Sequence, residues 1–140
     1  MISSYFEEWE VKPEFEKEFI SIFNGWLGKE NLYKLDEVDE KEWSKFNEFV
    51  HEIYNNYKIN IVDLNENKFK TAKNTNEITE NHKVSMNKDA SQFSKFIIPE
   101  LECVLTEEWD YTYILWHKNN GAKEAIIPLA TKVGLFNFSE

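Results

Sequence analysis

The stretch VLTEEWDYTYILW, residues 104–116, does most to define the expected fold of this chain. Side chains alternate between the two faces of a strand, so Tyr113 would point to one face and Ile114 and Trp116 to the other. Apolar residues fall on both faces, which is typical of a central strand covered on both sides. We therefore predict such a strand over residues 111–118.

The segments around this strand predict an antiparallel meander. LECVLT (101–106) favours a partner strand, and EEWD (107–110) favours the turn that joins the two. NNG (119–121) is typical of a hairpin, because Asn and Gly tolerate positive φ. AKEAII (122–127) would then form a third strand, and PLATKVG (128–134) a short closing helix.

Helices are predicted ahead of this meander. Apolar residues recur at spacings of three and four in residues 13–28 and again in residues 39–58, which is the period of an amphipathic helix. DASQFSKFII (89–98) favours a third, short helix that ends before Pro99, because the residue before a proline avoids the helical region.

The middle of the chain is the least determined part. INIVDL (59–64) suits a short strand, and the polar residues 65–91 suit either a hairpin or a long mobile loop. The whole pattern places the chain in the α+β class. We predict a single globular domain over residues 1–140, with N-terminal helices packed on an antiparallel meander sheet of three to five strands.

Composition limits the protein classes to which the chain can belong. Its 140 residues suffice for one domain with a real core, and an aromatic content of 16% indicates a folded chain. No apolar run approaches the roughly 18 residues of a membrane helix, and the N-terminus lacks the pattern of a signal peptide. The single cysteine, Cys103, suits a reducing compartment. We therefore expect a cytoplasmic protein that contacts no membrane.

The charge of the chain indicates the kind of partner it would bind. The formal net charge is −10, and all sixteen basic residues are lysines. Residues 1–56 hold fourteen acidic residues and six lysines, a net charge of −8, whereas residues 57–95 hold five and seven, a net charge of +2. This balance disfavours binding to nucleic acid and favours a basic protein partner.

No catalytic or metal-binding pattern is present in the sequence. His51, His82 and His117 lack the spacing of metal ligands, and one cysteine cannot form a structural zinc site. The phosphate-binding and nucleotide-binding glycine motifs are missing as well. Adjacent carboxylates such as those at residues 107–110 are more typical of solvated charge than of an acid and base pair. We expect a protein that is not an enzyme and that binds no metal or cofactor.

Two acidic patches are the candidate partner-binding residues. The first precedes the second predicted helix and consists of Asp36, Glu37, Asp39 and Glu40. The second lies at the predicted turn and consists of Glu107, Glu108, Trp109 and Asp110. An exposed tryptophan among carboxylates has the composition of a protein-binding hot spot.

The small size, acidic charge, aromatic content and absence of motifs give this chain an overall resemblance to bacterial immunity proteins. That group neutralises the toxin domains of contact-dependent inhibition and other polymorphic toxin systems. The resemblance implies a protein that inhibits a basic toxin by covering its active site. It carries over no individual residue, because the group includes many unrelated folds.

Two other interpretations remain open at this point. The chain would also suit a small-ligand-binding domain of bacterial or phage origin, with a pocket among its many aromatic side chains. A third interpretation is an acidic mimic of nucleic acid that blocks a DNA-binding enzyme. A mimic needs carboxylates spaced along a face like phosphates, which the sequence alone does not establish.

Overall fold

The structure, a computed structural model, describes residues 2–139 and is built around one large antiparallel sheet. Its strands are β1 Phe6–Glu7, β2 Glu10–Val11, β3 Glu16–Ser21, β4 Asn60–Asp63, β5 Lys68–Thr71, β6 Lys95–Ile98, β7 Cys103–Glu108, β8 Thr112–His117 and β9 Phe136–Phe138. Within the described residues, seven strands form the sheet in the order β5-β4-β6-β7-β8-β3-β9. Strands β1 and β2 pair separately as a short hairpin.

The α-helices lie between strands along the chain. The α-helices are α1 Glu40–Trp43, α2 Lys45–Asn56, α3 Asn76–Thr79, α4 His82–Ser85 and α5 Asn120–Lys132. The 3₁₀ helices are Ile2–Ser4, Lys29–Glu37, Ala90–Gln92 and Pro99–Leu101. Over residues 2–139, no helix combines the length and the apolar character needed to cross a membrane.

Helices α2 and α5 cover one face of the sheet. The stripe predicted for α2 is confirmed, since Phe46, Phe49, Val50 and Ile53 are all fully buried. These side chains belong to the same apolar cluster as Tyr113 and the other inward residues of the central strands. Burying one such side chain contributes roughly 1.5–3 kcal/mol to folding, so this stripe accounts for the position of α2.

The N-terminal segment covers part of the opposite face. Ile2, Phe6 and Phe15 pack with Val62 and Val104, whose side chains alternate away from the helices. Strand β8 is therefore covered on one side by helices, and its other side retains half-buried residues. The prediction of a strand at residues 111–118 is confirmed, with bounds Thr112–His117.

The predicted architecture is wrong in its strand number and in the position of its helices. The chain is α+β, but the sheet has seven strands, and the helix predicted over 13–28 is wrong, because residues 16–21 of that segment form β3. The three-and-four spacing misled because Phe19 and Ile20 are both buried, on opposite faces of one strand. Strand β3 lies between β8 and β9, so both of its faces can hold apolar residues.

The predicted hairpin at residues 119–121 and the third strand at 122–127 are also wrong. Asn119 instead caps α5, since its side chain accepts a hydrogen bond from the Ala122 N–H at 3.1 Å. Asparagine suits both a hairpin turn and a helix N-cap, so the signal was ambiguous. The short helix predicted over 128–134 is the C-terminal half of α5, which ends at Lys132.

The remaining differences lie in the middle of the chain. The helix predicted at residues 89–98 is wrong, because a 3₁₀ turn there leads into β6. Residues 65–91 contain β5, which pairs with β4 as a hairpin, followed by α3 and α4. The predicted strands at 59–64 and 101–106 are confirmed as β4 and the start of β7.

Candidate functional site

The first predicted patch lies on an exposed segment that joins β3 to α2. The 3₁₀ helix Lys29–Glu37 runs for nine residues and buries none of them. Runs of this length are uncommon, because 3₁₀ hydrogen bonds are poorly aligned. Its Leu32 and Tyr33 are 47% and 57% exposed. The segment thus presents about half of the surface of two large apolar side chains to solvent.

All four acidic residues of the first patch lie at the end of this helix. Asp36, Glu37, Asp39 and Glu40 are exposed and fall within five consecutive residues. Asp39 caps α1, since its carboxylate accepts a hydrogen bond from the Glu42 N–H at 3.0 Å. We call residues 29–40 the acidic arm. The arm is attached to the core through Leu35 and Val38, which are half-buried against the main apolar cluster.

The second predicted patch does not exist as one surface. Strand β7 continues through Glu107 and Glu108, which pair with Tyr113 and Thr112, so these two side chains point to opposite faces. The expectation that both meet water at a turn is wrong for Glu107, which is only 2% exposed. Glu108 and Asp110 are half-buried, and Trp109 is the most exposed of the four, at 53%. The turn itself begins at Trp109.

Asp110, the last residue of that patch, has a conformational role. Asp110 and Tyr111 both have positive φ, at 62° and 52°, which reverses the chain between β7 and β8. The Asp110 N–H donates to Asn87 Oδ1 at 2.9 Å, which holds the turn against the segment after α4. Asp tolerates this left-handed region better than most residues.

Glu107 is part of a buried polar network. Its Oε1 accepts hydrogen bonds from the Ser94 N–H and the Ser85 hydroxyl, both at 2.9 Å. Its Oε2 has no hydrogen-bond partner among the described residues. Burial raises the pKa of the Glu107 carboxyl, and the bonds from Ser94 and Ser85 oppose that rise. Glu107 lies one residue beyond the last paired residue of β7 with β6, and it places in the core an oxygen without a hydrogen-bond partner in residues 2–139.

A second chain of polar contacts lies beside Glu107. The Tyr113 hydroxyl is 2.7 Å from His82 Nε2, and His82 Nδ1 is 2.6 Å from Asn47 Oδ1. An amide oxygen only accepts, so Nδ1 carries the proton and Nε2 accepts from Tyr113. Burial lowers the pKa of His82 to about 4, which keeps the ring neutral at pH 7. His82, Tyr113 and Glu107 are each at most 2% exposed, so the network lies within the core.

A groove on the other face of the sheet is the best-formed cavity near the predicted residues. It has a volume of about 420 Å³ and lies between the N-terminal hairpin and strands β3, β6, β7 and β8. Its aromatic walls include Trp9, Phe93 and Trp116. Its polar lining residues are Glu10, Lys17, Lys95, Thr106, Glu107 and Glu108. We call this cavity the aromatic groove. A second cavity of about 580 Å³ shares Trp9, Phe93 and Lys95 with it.

The polar groups of the aromatic groove are connected. Trp116 Nε1 donates to Thr106 Oγ1 at 2.9 Å, and the Thr106 hydroxyl donates to Glu108 Oε2 at 2.7 Å. The Lys17 ammonium lies 5.2 Å from the Trp116 ring centroid. Burial raises the pKa of Glu108, while the Thr106 bond and the charges of Lys95 and Lys17 oppose that rise. Both ammonium groups are therefore within electrostatic reach of one carboxyl.

Sequence reasoning found only part of this groove. Glu108 lies in it, and Trp109 packs edge-to-face on Phe93 with 5.1 Å between ring centroids. Trp9 and the two lysines were missed, because they come from distant parts of the chain. Only the pairing of β3 with β8 and of β6 with β7 brings them together.

The cysteine and histidine residues form no metal site within residues 2–139, where no three potential metal ligands converge. Cys103 is fully buried, and burial raises the pKa of its thiol to about 12. His117 is buried, with Nδ1 at 3.1 Å from the Asn119 carbonyl oxygen. Comparison of the chain with protein-family models, with curated proteins and with solved structures found no match.

Proposed function

We propose that this chain is a non-enzymatic binding protein that neutralises a basic protein partner. The observation that carries the proposal is the acidic arm, where a nine-residue 3₁₀ helix has no fully buried residue and where four exposed carboxylates lie at the end of the helix or directly after it. A segment that contributes so little to the core is better explained by contact with a partner. We further propose that the partner is a bacterial toxin domain, which would make the chain an immunity protein of the cytoplasm.

The arm has the two components of a protein interface. Leu32 and Tyr33 supply exposed apolar area that a partner would bury, and tyrosine is enriched at binding hot spots. The exposed carboxylates of Asp36, Glu37 and Glu40 follow them in the arm and would attract a positively charged surface before contact. Polar rims around an apolar centre are the usual arrangement of such interfaces.

The buried network supports a non-enzymatic function. Glu107, Tyr113 and His82 are the residues whose chemistry most resembles that of an active site, but they are enclosed by the core. A general acid or base must come within hydrogen-bond distance of its substrate. Enclosure leaves these residues a structural role, and the exposed features of the chain are those of a binding surface.

Affinity capture tests this proposal directly. The tagged chain, incubated with lysate of its native host, should retain one basic protein in stoichiometric amount, and co-expression should protect cells from that protein's toxicity. Tyr33→Ala should lose the capture, because it removes the apolar centre of the arm. Phe136→Ala is the matched control, since Phe136 is also a large exposed side chain, at 44%, but lies on strand β9.

Two results would overturn the proposal. The first is the recovery of no basic protein under conditions in which the tagged chain is folded. The second is a captured protein whose retention is the same for Tyr33→Ala, Phe136→Ala and the unaltered chain.

A small-ligand-binding domain is the second candidate function. The aromatic groove favours it, because the groove combines three aromatic walls with a few converging polar groups.

A further inference from the structure

We propose that the aromatic groove binds a small planar aromatic carboxylate. The groove shares no residue with the acidic arm, so this inference is independent of the proposed partner protein. It concerns a second site, with a ligand whose negative charge has the same sign as the net charge of the protein, so local lysines have to supply the attraction. Three features of the groove carry it, namely its aromatic walls, its two lysines and its size.

The walls are suited to a flat ring. Trp116 is half-buried on the sheet, while Trp9 on the opposite wall is 61% exposed. Phe93 stands between the two cavities and is supported from behind by Trp109. A planar ligand between these side chains would cover the exposed Trp9 and gain the stacked or edge-to-face contacts that aromatic rings prefer.

The two lysines supply the preference for an anion. Lys17 comes from β3 and Lys95 from β6, and both act on the same carboxyl at Glu108. Within residues 2–139, neither ammonium forms an ion pair closer than 4.0 Å. Lys95 is half-buried, so a ligand carboxylate beside it would form a charge-assisted hydrogen bond sheltered from water.

Glu108 limits which anions the groove accepts. Its carboxylate, together with Glu10 and Glu107 in the same lining, competes with a ligand carboxylate for the two lysines, so ring contacts are needed in addition to charge. Its Oε2 is already engaged by the Thr106 hydroxyl, which in turn is fixed by the Trp116 indole N–H. This chain of hydrogen bonds holds Glu108 in place. Neutralising Glu108 should strengthen anion binding, whereas neutralising either lysine should weaken it.

The size of the groove limits the ligand to one or two rings. A volume of about 420 Å³ falls in the lower part of the range of small-molecule pockets, roughly 300–1,000 Å³. The neighbouring cavity leaves room for a short substituent to extend past Phe93. Indole-3-acetate has the required combination of a flat ring system and a carboxylate, and it serves as the probe.

The experiment compares three probes by calorimetry and by NMR of the ¹⁵N-labelled protein. Indole-3-acetate should bind with a Kd below about 1 mM, whereas tryptamine, which has the same ring with a cation, and acetate, which has the charge without a ring, should bind much more weakly. The indole N–H signals of Trp9 and Trp116 should shift on binding. The signal of Trp43, which is buried under the helical face, should not.

Three variants test the assigned roles. Lys95→Met should weaken binding of indole-3-acetate by about tenfold or more, because it removes a charge-assisted bond. Lys17→Met should weaken it in the same direction, and Glu108→Gln should tighten it. Lys70→Met on the exposed edge strand β5 is the matched control and should leave the Kd unchanged.

The proposal is overturned if indole-3-acetate fails to bind at millimolar concentration or binds no better than acetate. It is equally overturned if tryptamine binds more tightly, or if Lys95→Met and Lys17→Met both retain the Kd of the control. Because both lysines are at least partly exposed, these variants should fold, and circular dichroism checks that they do.

Discussion

The Tyr113 hydroxyl lies 2.7 Å from His82 Nε2, and both side chains are fully buried although 31 residues separate them. The contact joins the central strand β8 to the short helix α4. A buried polar group that loses its partner costs about 1–3 kcal/mol. Tyr113→Phe should therefore lower the free energy of unfolding in urea by that amount. Tyr33→Phe, an exposed tyrosine, should leave it within about 0.5 kcal/mol, and equal effects of the two would contradict the contact.

The neutral state of His82 predicts a pH dependence of stability. Its pKa is about 4 in the folded chain and near 6.5 in the unfolded chain. Between these values the unfolded state binds more protons, so stability falls as pH drops from about 6.5 to 4. The loss from this residue is on the order of 3 kcal/mol. The unfolding free energy of His82→Gln, measured in urea, should fall correspondingly less over the same pH range. An equal fall for the variant and the unaltered chain would contradict the lowered pKa of His82.

Glu107 predicts a pH dependence of the opposite sign. Burial raises the pKa of its carboxyl in the folded chain, so the folded state holds a proton that the unfolded state releases. Stability from this residue is present at low pH and is lost as pH rises through the folded pKa. Glu107→Gln keeps an oxygen for Ser94 and Ser85 and cannot ionise. The unfolding free energy of the variant minus that of the unaltered chain should increase as pH rises above about 4.5. A difference that does not change with pH would show that the pKa of Glu107 is the same in the folded and unfolded chains.

Asn119 tests the assignment of α5. Asn119→Ala removes the hydrogen bond to the Ala122 N–H and should cost about 1 kcal/mol of unfolding free energy, whereas Asn119→Ser retains a capping oxygen. Thermal unfolding of the two variants measures the difference. If residues 119–121 formed a hairpin turn with positive φ, Ser would be as unfavourable as Ala.

The spacing of apolar residues predicts an element correctly when only one of its faces is buried. The residues Phe46, Phe49, Val50 and Ile53 face one core, so their spacing predicts α2 correctly. The sequence does not predict strand β3, because Phe19 packs with Trp26 and Phe138 on one face while Ile20 lies in the core on the other. A strand buried on both faces has no alternation, and its apolar run resembles a helical stripe.

The candidate site, too, can be predicted from the sequence only in part. Of the acidic arm, the sequence predicts only the four carboxylates, because they fall within five consecutive residues, and the structure shows all four exposed. The turn at 107–110 was placed two residues too early, since nothing in the sequence indicates that the backbone reverses at Asp110 and Tyr111. As a result Glu107 was expected in water and lies in the core. The aromatic groove depends on Trp9, Lys17 and Lys95, which meet only through strand pairing.

The central claim is that the acidic arm meets a basic protein, and the association rate constant with the captured protein tests it most directly. Asp36→Lys with Glu37→Lys changes the arm, and Glu66→Lys with Glu80→Lys changes exposed acids elsewhere. Each pair moves the formal net charge from −10 to −6, so only position differs. We predict that the arm variant associates about tenfold more slowly at low salt and with a flatter salt dependence, whereas the control changes little. Equal rate constants for the two variants would contradict the account.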